Sequence, residues 1–127
     1  MPAVYLAGPA VFFKDAAEHA ATMRRACIDL GLEPLWPSDG LEREKLKGCP
    51  LHAIAAAILA ANLALMRRCD AVLADIRPFR GAGLDAGTAY EIGFAHALGK
   101  PVIAWSGDPR SYAVRVVAEL DRQGLPH

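Results

Sequence analysis

The chain is 127 residues long, 54% apolar, and carries 14 Lys and Arg against 14 Asp and Glu, for a net charge of zero. That length suits one domain, 1–127, with a real core. The charge balance argues against a nucleic-acid groove or an anionic membrane surface as the main partner. Cys27, Cys49 and Cys69 are widely spaced with no CxxC pair, which predicts reduced thiols in a cytoplasmic protein. Met1-Pro-Ala-Val-Tyr5 lacks a basic n-region, so no signal peptide is expected.

Ala3–Ala7 reads as a short apolar strand closed by Gly8-Pro9. Asp15 is placed to cap a helix reaching Leu30, with Gly31 as its stop and Ala16, Ala20, Met23, Cys27 and Leu30 at helical spacing. Glu33–Trp36 is a second strand, and the charged stretch 38–48 reads as a solvated loop in preference to a lid over a site. Pro50 opens a long helix to Arg68. Its stretch Leu51–Met66 is nearly all apolar but short for a membrane span and holds His52 and Asn62, so it is expected to be a buried helix. Asp70–Ile76 is a third strand, Thr88–Leu98 a helix stopped by Gly99, Pro101–Ser106 a fourth strand, and Pro109–Arg122 a last helix. This alternation predicts an α/β fold: a doubly wound parallel sheet in a three-layer α/β/α sandwich. Ligands in such sheets sit outside the carboxyl ends of the strands. Those ends carry Gly8-Pro9, Trp36 to Asp39, Asp75 to Gly83 and Ser106 to Asp108.

The densest chemistry lies between Asp75 and Glu91. Glu91 has two readings. Thr88-Ala-Tyr-Glu91 fits a capping box, in which the glutamate bonds back to its own helix start. On the helical wheel, however, it shares a face with Leu84, Gly87, Phe94, Ala95 and Leu98, and a carboxylate on an apolar face needs partners. An ionised, partly desolvated carboxylate in a cleft is a competent nucleophile toward a sugar anomeric carbon. Asp85 is either the N-cap of that helix or the holder of a ligand hydroxyl. Asp75 is either an Asx-turn at the strand end or a member of the site. Arg77 and Arg80, on either side of Pro78-Phe79, are surface residues or loop-holding partners. The glycines 81 and 83 do not make a dinucleotide fingerprint. Tyr5 is either a core-packing residue or, needing a hydrogen-bond partner when buried, a partner of Glu91. Adjacent Phe12 and Phe13 are hard to bury together, which favours contact with a flat ring. Asn62 faces either the core or the cleft. His19, His52, His96 and His127 have no metal-ligand spacing, and no metal site is expected.

Tyr5-Leu-Ala-Gly-Pro9, Asn62-Leu-Ala-Leu65, Cys69 to Gly81, Asp85-Ala-Gly-Thr-Ala-Tyr-Glu91-Ile-Gly-Phe-Ala95 and Ala97 to Val102 together resemble the nucleoside 2-deoxyribosyltransferase family over roughly residues 3 to 115. The resemblance implies a flavodoxin-like fold. It also implies double displacement at C1′ of a 2′-deoxynucleoside with net retention, without cofactor or metal. Glu91 falls on the family nucleophile and Tyr5 on the tyrosine that orients it. Asp85 falls on the aspartate that contacts the sugar and the polar network, and Asn62 where some members place an acid near the base. An amide cannot donate that proton, so Asp75, Asp39 or water would have to. Gly8, Pro9, Phe12, Phe13, Phe79, Arg80 and Gly87 complete the expected substrate contacts. The resemblance also implies a C-terminal segment that reaches into a neighbouring subunit's site, for which no counterpart is read before His127; either the site is completed differently or it is more open to water, and an open site would favour hydrolysis.

The expected partners are a nucleoside or nucleotide and a free nucleobase, with assembly as a homodimer or larger homo-oligomer and a place in nucleotide salvage. Two rival readings remain on the same scaffold. One is a nucleoside 5′-monophosphate N-glycosidase with Arg77, Arg80 or Arg110 as phosphate clamp. The other is a nucleotide-binding module without turnover.

Overall fold

Ala3–Ala7 is apolar at every position and becomes β1, a strand buried along its whole length. The computed structural model describes all residues, 1–127. Around β1 the chain lays down α1 (Ala16–Asp29), β2 (Glu33–Leu35), α2 (Leu51–Arg68), β3 (Ala71–Asp75), α3 (Ala86–Ala97), β4 (Val102–Trp105) and α4 (Tyr112–Gln123). Short 3-10 turns at Pro9–Phe12 and Arg43–Leu46 interrupt the connections. The sheet order is β2-β1-β3-β4 and every pair is parallel. The predicted doubly wound α/β fold is therefore the one observed, with each element within a few residues of its expected ends.

Strand alternation divides the core in two. Ala3, Tyr5 and Ala7 of β1 join Val72, Ala74, Met66 of α2 and Ala95 of α3 on one face. Val4 and Leu6 meet Cys27 of α1 on the other. The chain reverses sheet direction between β1 and β3, so their carboxyl ends, Gly8 and Asp75, border the crevice where this fold binds ligands. A Cβ at Gly8 would lie 2.9 Å from Asp75 Cβ, closer than packed carbon atoms approach. Gly8→Ala is expected to cost about 2 kcal/mol, read as a lower urea midpoint at unchanged slope.

Three local expectations change. The side chain of Asp15 makes no capping bond to α1; it pairs with His19 at 3.4 Å instead. The stretch 38–48 is not wholly a solvated loop, because its 3-10 turn brings Arg43 to the border of the cavity described below. The long helix α2 is not buried either: only Met66 is fully enclosed, and Leu51 is 84% exposed. By length and hydropathy α2 alone among the helices would suit a membrane crossing. Here its inner edge, Leu63, Leu65 and Met66, packs on the sheet core while the outer stripe is bare. A four-stranded sheet is too narrow to cover both sides of an 18-residue helix.

Candidate active site

Two carboxylates and a tyrosine converge at the carboxyl edge of β1. Tyr5 is completely buried, yet its hydroxyl reaches out of the core and donates to Glu91 Oε2. Glu91 therefore does not bond back to its own helix start, and the capping-box reading fails. Asp85 does the capping, its Oδ2 accepting from Thr88 N and Thr88 Oγ1, each at 2.9 Å. Neither bond uses Oδ1. The apolar seam of α3 also runs differently from the expected wheel. Thr88 and Ala95 are its buried positions, Ile92 and Phe94 pack against the core, and Leu84 and Leu98 lie outside it. Glu91 thus stands at the margin of the packed face, half-buried, where one side touches Tyr5 and the other a cavity.

That cavity is about 470 Å³, the size of a nucleoside site. Glu91, Asp85, Gly87 and Tyr90 form its α3 wall; Ile58, Leu59, Asn62 and Met66 form the facing α2 wall. Gly8 and Phe12 close it from the β1 side, and Pro37, Ser38 and Arg43 from the β2 side. Asn62 is oriented by its neighbour: Oδ1 accepts from Ser38 N at 2.7 Å. Because the donor there is a backbone N–H, the amide nitrogen is the atom left without a protein partner.

Burial raises the Glu91 carboxyl to about 7, against the pull of the Tyr5 hydrogen bond and helped by the negative charge of Asp85. Burial, then the charge and hydrogen bond of Glu91, push the Tyr5 phenol far above its ordinary range. Tyr5 stays a neutral donor. Glu91 is poised to ionise near neutrality, as a nucleophile in a partly desolvated cleft requires.

Other candidates fall elsewhere. Asp75 is 4% exposed, but its oxygens are engaged by Arg77: Arg77 N at 3.1 Å, Nε at 2.8 Å and a terminal guanidinium nitrogen at 2.6 Å. It does not line the Glu91 cavity, so the Asx-turn reading describes it and a role as proton donor does not. Asp39 is likewise absent from the cavity lining. Burial opposes its ionisation, but hydrogen bonds from Arg24 and Trp36 N prevail and hold the carboxyl below the usual range. An acid kept ionised does not protonate a leaving base. Phe12 borders the cavity, while Phe13 turns away, edge-on to His19 at 5.1 Å and under Arg77 at 5.0 Å. Phe79 stacks on Phe12 at 5.7 Å, and Arg80 lies over both rings at 5.6 and 4.7 Å. Phe79 and Arg80 thus support Phe12 rather than line the cavity. Pro9 is buried in the 3-10 turn that aims Phe12. Arg110 pairs with Asp108, so neither it nor Arg77 is available in the cleft as a phosphate clamp.

A second, smaller hollow of about 100 Å³ lies on the α1 side of Gly8, bounded by His19, Met23, Trp36, Asp75, Arg77 and Trp105. Gly8 is the wall the two hollows share.

Comparison with known proteins bears on the family and the fold. The chain is 36% identical over 117 residues to an uncharacterised protein of Schizosaccharomyces pombe, a match covering 91% of this chain and 55% of that one. The chain thus spans about half the length of this curated relative. It superposes on a 2-deoxyribosyltransferase from Leishmania mexicana with TM-score 0.72 and 31% identity, over 100% of this chain and 74% of the other. It shares the fold of a 2-deoxyribosyltransferase from Bacillus psychrosaccharolyticus, with TM-score 0.69 and 22% identity, over 92% and 81% of the two chains. The sequence profile of the nucleoside 2-deoxyribosyltransferases matches residues 4–126, and the chain belongs to that family.

Proposed function

We propose that this chain moves a 2-deoxyribosyl group from one nucleobase to another, with Glu91 as the nucleophile. The observation that carries this reading is the Tyr5–Glu91 pair at the wall of a nucleoside-sized cavity. Ionised Glu91 attacks C1′ as the C1′–N bond breaks and the bonding pair leaves with the base. The glycosyl ester so formed is opened at C1′ by an incoming base. Two inversions give retention, as in retaining glycosidases. Asp85, with Oδ1 unused by the helix cap, accepts from a sugar hydroxyl, and the two carboxylates stabilise the oxocarbenium-like charge. Tyr5 holds Glu91 in its attacking rotamer. Phe12 offers a face to the base.

The test is to incubate a 2′-deoxynucleoside with and without a second free base and to follow products by chromatography. Exchange only when the acceptor is present supports transfer. Base release at the same rate without it would make the enzyme a hydrolase, because water reaching the ester competes with the acceptor. No turnover on any deoxynucleoside would leave the binding-module reading.

We further propose that copies of the chain associate through the outer stripe of α2. No charged residue occurs between Leu51 and Met66, so two such stripes meet without burying an unpaired charge. Leu51→Lys is expected to lower the sedimenting mass of a wild-type oligomer; a wild-type monomer at micromolar concentration would refute the association.

A further inference from the structure

The cavity is chemically polarised. Its α3 wall presents acceptors, the carboxylates of Glu91 and Asp85. Its opposite side presents donors. Asn62 Oδ1 accepts from Ser38 N, and its amide nitrogen bonds no protein atom. Arg43 follows Ser38 in the same β2–α2 connection and also borders the cavity. Of the ten arginines, nine have a carboxylate, carbonyl or aromatic partner. Arg24, Arg25, Arg68, Arg77, Arg110 and Arg122 pair with carboxylates, Arg115 with carbonyls, and Arg67 and Arg80 with rings. Arg43 has none. Its neighbours Glu42 and Glu44 are taken by Lys45 and Lys47.

If Glu91 takes C1′ and Asp85 a sugar hydroxyl, the base must occupy the remaining space, between Phe12 and the Ile58–Asn62 side of α2. This inference rests on the glycosyl-transfer reading above. We propose that Arg43, assisted by Asn62, is the group that accepts the leaving base, and that it selects a purine carrying a carbonyl at C6. A guanidinium fork matches the N7 and O6 acceptor pair of such a base, whereas the 6-amino group of adenine would set donor against donor. When the C1′–N9 bond breaks, its electron pair goes to the base. Arg43 keeps its proton and stabilises the resulting anion through charge and hydrogen bonds, and water supplies the proton afterwards. The cleft thereby dispenses with the carboxylic acid that neither Asp39, Asp75 nor Asn62 provides.

The experiment compares wild type, Arg43→Ala and Arg43→Lys on 2′-deoxyguanosine, 2′-deoxyadenosine, N7-methyl-2′-deoxyguanosine and 2′-deoxyguanosine 5′-monophosphate. The wild type is expected to favour 2′-deoxyguanosine over 2′-deoxyadenosine by at least tenfold. Arg43→Ala should lower kcat on 2′-deoxyguanosine by about tenfold to a hundredfold. It should change the N7-methyl substrate less than about threefold, because that base departs neutral. Arg43→Lys should recover part of the loss. Asn62→Asp placed in Arg43→Ala supplies an acid and should raise turnover above that of Arg43→Ala measured at the same pH. Equal losses on the two guanine nucleosides, no loss on either, or a loss confined to KM for the monophosphate would each overturn the assignment while leaving glycosyl transfer standing. A wild type inactive on all four substrates would bring down the transfer reading and this one with it.

Discussion

Glu91→Gln should abolish base exchange, by about 10⁴-fold or more in kcat, with the fold intact. A neutral amide oxygen cannot form the glycosyl ester, and losing the nucleophile of a double displacement removes on the order of 5 kcal/mol of transition-state stabilisation. Gln still accepts the hydrogen bond from Tyr5, so the packing around β1 is kept. Steady-state exchange assays and mass spectrometry of the trapped wild-type ester measure the effect. Activity within tenfold of wild type would remove Glu91 from the chemistry. The same variant carries a stability signature. The carboxyl titrates from 4.5 unfolded to about 7 folded, so between those values the native state holds more protons than the unfolded chain. Stability contributed by this group is therefore lost as pH rises through that window. Glu91→Gln removes the buried charge and should melt higher than wild type at pH 8, by about 1 kcal/mol or roughly 3–6 °C, and equally at pH 4.

Activity runs the opposite way with pH. The nucleophile must be ionised, so kcat/KM should climb about tenfold per pH unit up to the midpoint near 7 and then level off. Between the plateau and pH 5 the expected loss is about a hundredfold. Tyr5→Phe takes away the one interaction that favours the charged form, so its profile should keep the shape but shift to higher pH, with a lower plateau from the unfixed carboxylate. A flat profile from pH 5 to 8 in the wild type would mean that Glu91 is not the titrating group.

Most of the fold was readable because three of the four strands are short apolar runs bounded by Gly, Pro or Asp, and α1, α3 and α4 each end at a glycine. Tyr5 and Glu91 were readable as a pair because both are polar intrusions into apolar faces. Other features depended on contacts distant in sequence. Nothing near Asp39 shows that Arg24, a helix away, will claim it. The 3-10 turn at Pro9–Phe12 decides which of two adjacent phenylalanines borders the cavity, and no pattern in the residues distinguishes them. Arg43 sits in a stretch that reads as solvated charge, and its position is apparent only once the β2–α2 connection folds over the cleft. The apolar run of α2 signalled burial, but hydrophobicity alone cannot say whether the covering surface belongs to the same chain.

Both tryptophans of the chain, Trp36 and Trp105, border the small hollow behind Gly8, and neither lines the Glu91 cavity. Indole emission should therefore stay nearly constant as a nucleoside enters beside Glu91. It should respond instead to whatever disturbs the Arg77–Asp75 side of the glycine partition. The protein thus carries a built-in optical reference for its own integrity, and occupancy of the Glu91 cavity has to be followed by the ultraviolet absorbance of the base or by heat.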